Sequence, residues 1–293
     1  MTENILFSGC ATALITPFCD GGIDYSALAS LIEYQIKSGV SAIVIAGTTG
    51  EASTLREKER EELFAFASEV TGGRVKLIFG TGSNDTSKAI EWTKLAKRQG
   101  ADGALIVTPY YNKGTVSGIE KHYLSIAEAC DLPILLYNVP SRTGVNLSLA
   151  TVERLADHPL IVGIKEASDS IDRMTALSSL SDKISLYAGN DSQIYSCMAL
   201  GGKGAISVAS NVLPSIIIRI ASGEGDALYL QRRLLPFIGT LFADTNPAPI
   251  KYLMSRLGLC REDIRLPLSM PKEEVSLAIM REYAKLSDLL GQT

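Results

Sequence analysis

Short apolar runs recur along this chain, each followed by an amphipathic stretch of helical period, and that alternation limits the fold more than any other feature. The runs are Ala11–Ile15, Ala42–Ala46, Val75–Phe79, Ala104–Val107, Ile134–Tyr137, Ile161–Lys165, Ser185–Ala188 and Ala205–Val208. Continuous apolarity over so few residues suits parallel strands covered on both faces. The intervening helices have readable ends. One begins near Asp24 and stops at Gly39, and Thr54-x-x-Glu57 has the pattern of a capping box opening the next, which runs to Gly72-Gly73. Further helices are predicted from Asn84–Thr86 to Gly100 and over Val116–Ala129, Leu149–Asp157, Asp172–Ser179 and Ser192–Leu200. Eight alternations with short connections predict a (β/α)8 TIM barrel, whose site lies at the C-terminal ends of its strands. A doubly wound sheet is the alternative, but it usually carries a glycine-rich fingerprint after the first strand, and Thr16–Gly21 is not one. After residue 228 the alternation stops. Residues 229–293 read as a C-terminal helical extension, interrupted by Pro247, Pro249, Pro267 and Pro271, packed on the 1–228 barrel or on a neighbouring subunit.

Bulk properties remove several classes of function. Of 293 residues, 46% are hydrophobic and 20% charged, with a formal charge of -4, so no basic surface for nucleic acid or membrane is expected. The five cysteines are scattered without a C-x-x-C pair, which suits reduced thiols in a cytoplasmic protein rather than a disulfide framework. Met1–Phe7 lacks the basic and apolar parts of a signal peptide, and no run approaches the ~20 apolar residues of a spanning helix. The two histidines, His122 and His158, have no acidic or cysteine partner at a ligand spacing, so both read as structural. A zinc enzyme and a Ser-His-Asp hydrolase are disfavoured.

Lys165 closes the sixth run, Leu160-Ile161-Val162-Gly163-Ile164-Lys165. Loss of hydration at a buried strand end favours the neutral amine, which is a nucleophile toward ketones and aldehydes. The fifth run ends in Tyr137, and a phenol beside an amine can shuttle the protons of imine formation. An isolated lysine would be expected to snorkel to the surface. Here the barrel rule brings it company, because residues after the other strands share its mouth. These are Gly47-Thr48-Thr49-Gly50-Glu51, Gly80–Asn84, Thr108-Pro109-Tyr110-Tyr111-Asn112, Asn138–Arg142 and Gly189-Asn190-Asp191. The Gly47–Gly50 segment alone would be a tight turn, yet its N–H groups and hydroxyls can also hold a carboxylate. Arg142 offers a bidentate grip on a carboxylate. Lys203, in a glycine cluster leading into the eighth strand, falls at the wrong end of the barrel. The residues therefore point to a Schiff-base site for a small anionic carbonyl compound.

Gly47-Thr48-Thr49-Gly50-Glu51, Thr108–Asn112, Tyr137-Asn138-Val139-Pro140-Ser141-Arg142-Thr143-Gly144, Gly163-Ile164-Lys165-Glu166-Ala167 and Asn246-Pro247-x-Pro249-Ile250-Lys251 closely resemble the dihydrodipicolinate synthase family of class I pyruvate-dependent aldolases. The resemblance covers essentially the whole chain, although the Gly-x-x-Gly-Glu turn and the lysine are shared with siblings such as N-acetylneuraminate lyase. It implies an imine between Lys165 and pyruvate, an enamine, attack on the aldehyde of L-aspartate 4-semialdehyde, and ring closure that releases the lysine. It implies Tyr137 as proton donor and acceptor, with Thr48 and Tyr111 completing a relay and Tyr111 reaching in from an adjacent subunit. Thr49 and the backbone at Ile206 match pyruvate contacts, Arg142 matches the contact to the semialdehyde carboxylate, and Gly189 lies on a lining loop. No metal or organic cofactor is implied, and the expected assembly is a homotetramer of two tight dimers. Asn84 and Tyr110 match an inhibitory lysine site, but Lys88 stands where inhibited members carry an acid, and Glu57 and Arg60 also depart from that pattern. Weak or absent inhibition by lysine is therefore expected. A non-catalytic barrel is argued against by the Tyr137–Lys165 pair, since a binding protein has no use for a buried amine.

Overall fold

In the computed structural model, which describes residues 5–290, eight parallel strands close into a barrel in chain order. The strands are β1 (Gly9–Ala13), β2 (Ala42–Ile45), β3 (Lys76–Gly80), β4 (Gly103–Val107), β5 (Ile134–Asn138), β6 (Ile161–Glu166), β7 (Ser185–Ala188) and β8 (Gly204–Ser207). β1 pairs with both β2 and β8, so no edge is left open. The covering helices are α1 (Tyr25–Lys37), α2 (Glu57–Thr71), α3 (Thr86–Arg98), α4 (Val116–Cys130), α5 (Leu149–Ala156), α6 (Ile171–Ser178), α7 (Ile194–Ala199) and α8 (Pro214–Ser222). Three further helices of nine residues or more follow: α9 (Ala227–Leu241), α10 (Ala248–Arg256) and α11 (Glu273–Ala284). Every strand expected from the sequence is present, with ends displaced by no more than two residues. The reading of Met1–Phe7 falls partly outside the described residues, as do the last three positions of the helical extension. Among the described residues, no helix is long and apolar enough to cross a membrane.

One local expectation is corrected, and one element is added. The capping box of α2 sits two residues later than its sequence pattern suggested. Glu59 Oε2 accepts from the N–H of Arg56 at 2.9 Å, while the Thr54 hydroxyl is taken by the carbonyl of Glu51 at 3.1 Å. The cause is a short 3-10 turn over Ala52–Thr54, which already occupies Thr54. A two-stranded hairpin, Phe18–Cys19 with Gly22–Ile23, also intervenes between β1 and α1. At α1 the sequence signal holds, for Asp24 Oδ1 accepts from the N–H of Ala27 at 3.0 Å.

The core has two layers, one between strands and helices and one inside the barrel. Alternation along β5 sends Ile134 and Leu136 outward and Leu135 and Tyr137 inward. In β6, strict alternation from the outward Ile161 would turn Lys165 outward as well. The β5–β6 register instead slips between Ile134 and Leu135, pairing Leu135 with Gly163 and Tyr137 with Lys165. Val162 is the extra residue, and beyond it Ile164 again faces the helices while Lys165 faces inward. Gly163 is required at this crossing, because a Cβ there would lie 2.5 Å from Leu135 Cδ2. One bulge thus aims the lysine.

Candidate active site

Lys165 opens onto a cleft of about 780 Å³ at the C-terminal ends of the strands, shared with Tyr137, Thr49, Arg142, Gly189 and Asn246. Its side chain is 5% exposed, and its Nζ lies 4.3 Å from the centroid of the Tyr137 ring, itself 6% exposed. The two residues are register partners on adjacent strands, so backbone hydrogen bonds rather than mobile loops fix their separation. Gly189 forms the wall beyond β7, where a Cβ would fall 2.6 Å from that of Ala167. Any larger residue would push on the strand end that carries Lys165.

The turn after β2 is held by backbone strain and by internal hydrogen bonds. Ala46 and Glu51, on either side of it, both have φ of 52°, in the left-handed region. Gly50 N–H donates to the Gly47 carbonyl and Glu51 N–H to that of Thr48, each at 3.1 Å. The N–H groups of Thr48 and Thr49 donate no hydrogen bond to another of the described residues, so the turn can offer them to an anion. The two threonines face different spaces: Thr49 lines the Lys165 cleft, and Thr48 lines a second cavity of about 430 Å³. Tyr137, Val139, Arg142 and Asn246 form the partition between the two. Arg142 lies in the short turn after β5 and is anchored by its Nη2, which donates to the Asn246 carbonyl at 2.9 Å.

Two sequence-predicted site residues stand apart from both cavities of this chain. Tyr111, with φ of 69°, is 91% exposed and lines neither. Ile206, on β8, has its side chain fully buried in the barrel interior with Tyr137 and lines neither cavity. The second cavity is walled instead by Thr48, Tyr110, Trp92 and Arg60. Arg60 is 2% exposed; it donates to the carbonyls of Gly80 and Ala52 and stacks on Trp92, with 3.9 Å from its Cζ to the ring centroid. Burial pushes the Arg60 guanidinium down to about 10. Lys88 does not line the cavity; it pairs with the carboxylates of Glu57 and Glu91, with its Nζ 5.8 Å from the centroid of the Trp92 ring.

Several residues that support the site were not singled out by the sequence reading. Glu166, next to Lys165 and fully buried, accepts from Asn138 Nδ2 at 2.9 Å, the N–H of Ser168 at 2.8 Å and Arg173 Nε at 2.8 Å. Because Asn138 follows Tyr137, this cluster ties the two strand ends together just beyond the reactive pair. The sequence signal was a charged residue continuing an apolar strand. Asp191, also buried, lines the cleft and accepts through Oδ2 from the N–H groups of Val208 and Ala209 at 3.1 and 3.0 Å. Burial pushes its carboxyl upward, opposed by Ser207, those N–H groups and the charge of Lys165. Asn246, from the helical extension, donates through Nδ2 to Thr49 Oγ1 at 3.0 Å. Beside it, Lys251 and Glu51 form a fully buried ion pair at 2.5 Å. No local pattern shows that residues almost 200 positions apart will meet. Among the described residues, no cluster of three His, Cys, Asp or Glu side chains could hold a metal ion.

Comparison with known proteins agrees with this geometry. The chain matches the Dihydrodipicolinate synthetase family over residues 6–285. It is 45% identical over 274 residues to the 4-hydroxy-tetrahydrodipicolinate synthase of Endomicrobium trichonymphae, covering 92% of this chain and 94% of that one. The solved 4-hydroxy-tetrahydrodipicolinate synthase of the thermoacidophilic methanotroph Methylacidiphilum fumariolicum SolV superposes with a TM-score of 0.95 at 38% identity, over 97% of each chain. A solved monomeric dihydrodipicolinate synthase variant superposes with a TM-score of 0.93 at 37% identity, over 96% of this chain and 97% of that one.

Proposed function

The chain belongs to the dihydrodipicolinate synthetase family, and from that premise we propose how its barrel mouth divides the work of the reaction. The reaction is the Schiff-base condensation of pyruvate with L-aspartate 4-semialdehyde, giving 4-hydroxy-tetrahydrodipicolinate on the diaminopimelate route to lysine. The observation that carries the division of roles is the contact between Lys165 and Tyr137 inside one cleft that also holds Arg142. Lys165 attacks the keto carbon of pyruvate, and water leaves as the C=N bond forms. The protonated imine draws electrons from the methyl group, which gives up a proton to become an enamine. Tyr137 carries protons to and from these atoms. The pyruvate carboxylate rests on Thr49 and the free N–H groups of its turn, and the open N–H supply after β2 supports that role. Arg142 holds the semialdehyde carboxylate, Gly189 shapes the wall, and the backbone at Ile206 contacts pyruvate.

Thr48 continues the proton relay into the second cavity, which Tyr137 and Tyr110 also line. Tyr111 serves the site of an adjacent subunit, which its 91% exposure and its distance from both cavities of its own chain support. That arrangement fits a homotetramer built from two tight dimers in the cytoplasm. The 1–228 barrel and the 229–293 helices act as one catalytic unit, because Asn246 and Lys251 reach across to Thr49 and Glu51. Lysine inhibits weakly or not at all: the guanidinium of Arg60, without a carboxylate partner among the described residues, lines the cavity and repels a second cation. Substantial inhibition by submillimolar lysine in a steady-state assay would refute that. The substrate assignment is tested by offering pyruvate with either aspartate semialdehyde or N-acetylmannosamine. Pyruvate loss should be faster with the semialdehyde, and faster loss with the sugar would reverse the assignment in favour of a sialic-acid lyase.

A further inference from the structure

Among the described residues of the helical extension, Asn246 is the one whose hydrogen bonds reach both substrate-holding groups. Its backbone carbonyl accepts from Arg142 Nη2 at 2.9 Å, and its Nδ2 donates to Thr49 Oγ1 at 3.0 Å. The residue is 7% exposed and lines both cavities. Its remaining polar atom, Oδ1, is buried and has no partner among the described residues. A buried acceptor without a donor is costly, so a ligand that brings a donor to it gains the hydrogen bond and relieves that cost. The reading of the second substrate as an amino-acid semialdehyde supplies one. An α-amino acid carries its ammonium and its carboxylate on the same carbon, so a carboxylate gripped by Arg142 brings an N–H donor beside the residue on which Arg142 is anchored.

We propose that Asn246 is a specificity-determining residue, whose side-chain carbonyl receives the α-amino group of the semialdehyde while Arg142 holds the carboxylate. An amide suits this task better than an acid. Ring closure requires the amino group to shed a proton and attack the iminium carbon. A new C–N bond then forms to that carbon, the bond to Lys165 breaks, and the lysine leaves as an amine with the electron pair. A carboxylate at this position would keep the attacking nitrogen charged, whereas a neutral carbonyl orients it without fixing its proton. The contact with Thr49 has a second effect, since a hydroxyl that accepts from Nδ2 has its own hydrogen free for the pyruvate carboxylate.

The proposal rests on the reaction assigned above, and its test separates the two. Succinate semialdehyde lacks only the amino group, so its Ki against the pyruvate-loaded enzyme is compared with the KM for aspartate semialdehyde. In Asn246→Leu the KM should rise about ten- to a hundredfold, the worth of one hydrogen bond to a charged group, while the Ki changes little. Thr49→Val serves as the control and should raise the KM for pyruvate without altering that discrimination. In Asn246→Asp the KM should stay near that of the wild type while kcat falls, because the amine is held charged. Borohydride trapping of pyruvate on each variant reports that the barrel is folded. A parallel rise of KM and Ki in Asn246→Leu would overturn the proposal, as would a KM in Asn246→Asp raised as far as in Asn246→Leu. A wild-type enzyme that does not turn over aspartate semialdehyde at all would contradict the assigned reaction instead.

Discussion

Lys165 and Lys251 are both buried, at 5% and 0% exposure, and each sets its Nζ close to an aromatic ring, Tyr137 at 4.3 Å and Phe18 at 4.2 Å. Lys251 meets the carboxylate of Glu51 at 2.5 Å, while Lys165 has no carboxylate within ion-pairing distance among the described residues and faces an open cleft. Burial pushes the Lys251 ammonium down and Glu51 pushes it back up. Burial alone therefore does not make a lysine reactive. A partnered amine becomes a strut, here joining α10 to the turn that carries Thr48 and Thr49. An amine with a cleft beside it and a phenol against it is left available for chemistry.

The largest separation between the two sites is expected on substitution to alanine. Lys165→Ala should abolish condensation while its urea midpoint stays near that of the wild type, since it has no ion pair to lose. Lys251→Ala should retain the pyruvate adduct but lose about 3–5 kcal/mol of stability, because Glu51 is left as a buried, unpaired charge. If Lys165→Ala were the unstable variant, the contrast would be inverted. Tyr137→Phe, measured in steady state, should lower kcat by about 10²–10⁴-fold with adduct formation slowed rather than lost. Replacing both partners of the strut, as in Lys251→Met with Glu51→Gln, should recover much of the stability that Lys251→Ala loses, and a double variant no better than the single one would show that the pair is not the strut.

A third buried base gives the smallest effect and isolates desolvation from pairing. His122 is 5% exposed, bonds Thr86 Oγ1 through Nδ1 at 3.0 Å, and is pushed down from 6.5 to about 4 by burial. Its folded value lies below its unfolded one, so the unfolded chain takes up a proton first as pH falls. The contribution of neutral His122 is complete above pH 6.5 and is lost between 6.5 and 4, at most about 3 kcal/mol. Urea unfolding across that window should show a shallower acid loss in His122→Phe. An unchanged slope would assign the acid limb to other groups.

The strands were legible because both faces of each are covered, which leaves an apolar run with few alternatives. Lys165 and Tyr137 were legible for the same reason, as polar residues closing such runs. The inward aim of Lys165 was not, because it depends on the slip at Val162; Gly163 was the one local hint of a bulge there, and it does not say which residue the slip passes over. The capping of α2 was misplaced because Thr54 is taken up by the 3-10 turn that precedes the helix, which moves the cap to Arg56. Asn246 and Lys251 were visible only as part of a motif. Their contacts with Thr49 and Glu51 are set by how the helical extension docks, and tertiary packing of that range leaves no local periodicity to read.

Which amine captures pyruvate is decided by borohydride reduction of the enzyme with pyruvate, followed by peptide mass mapping. The mass of one reduced pyruvate should appear on the peptide containing Lys165, should be absent from that containing Lys251, and should vanish in Lys165→Ala. No adduct, or an adduct on another lysine, would contradict the assignment of the amine beside Tyr137 as the nucleophile.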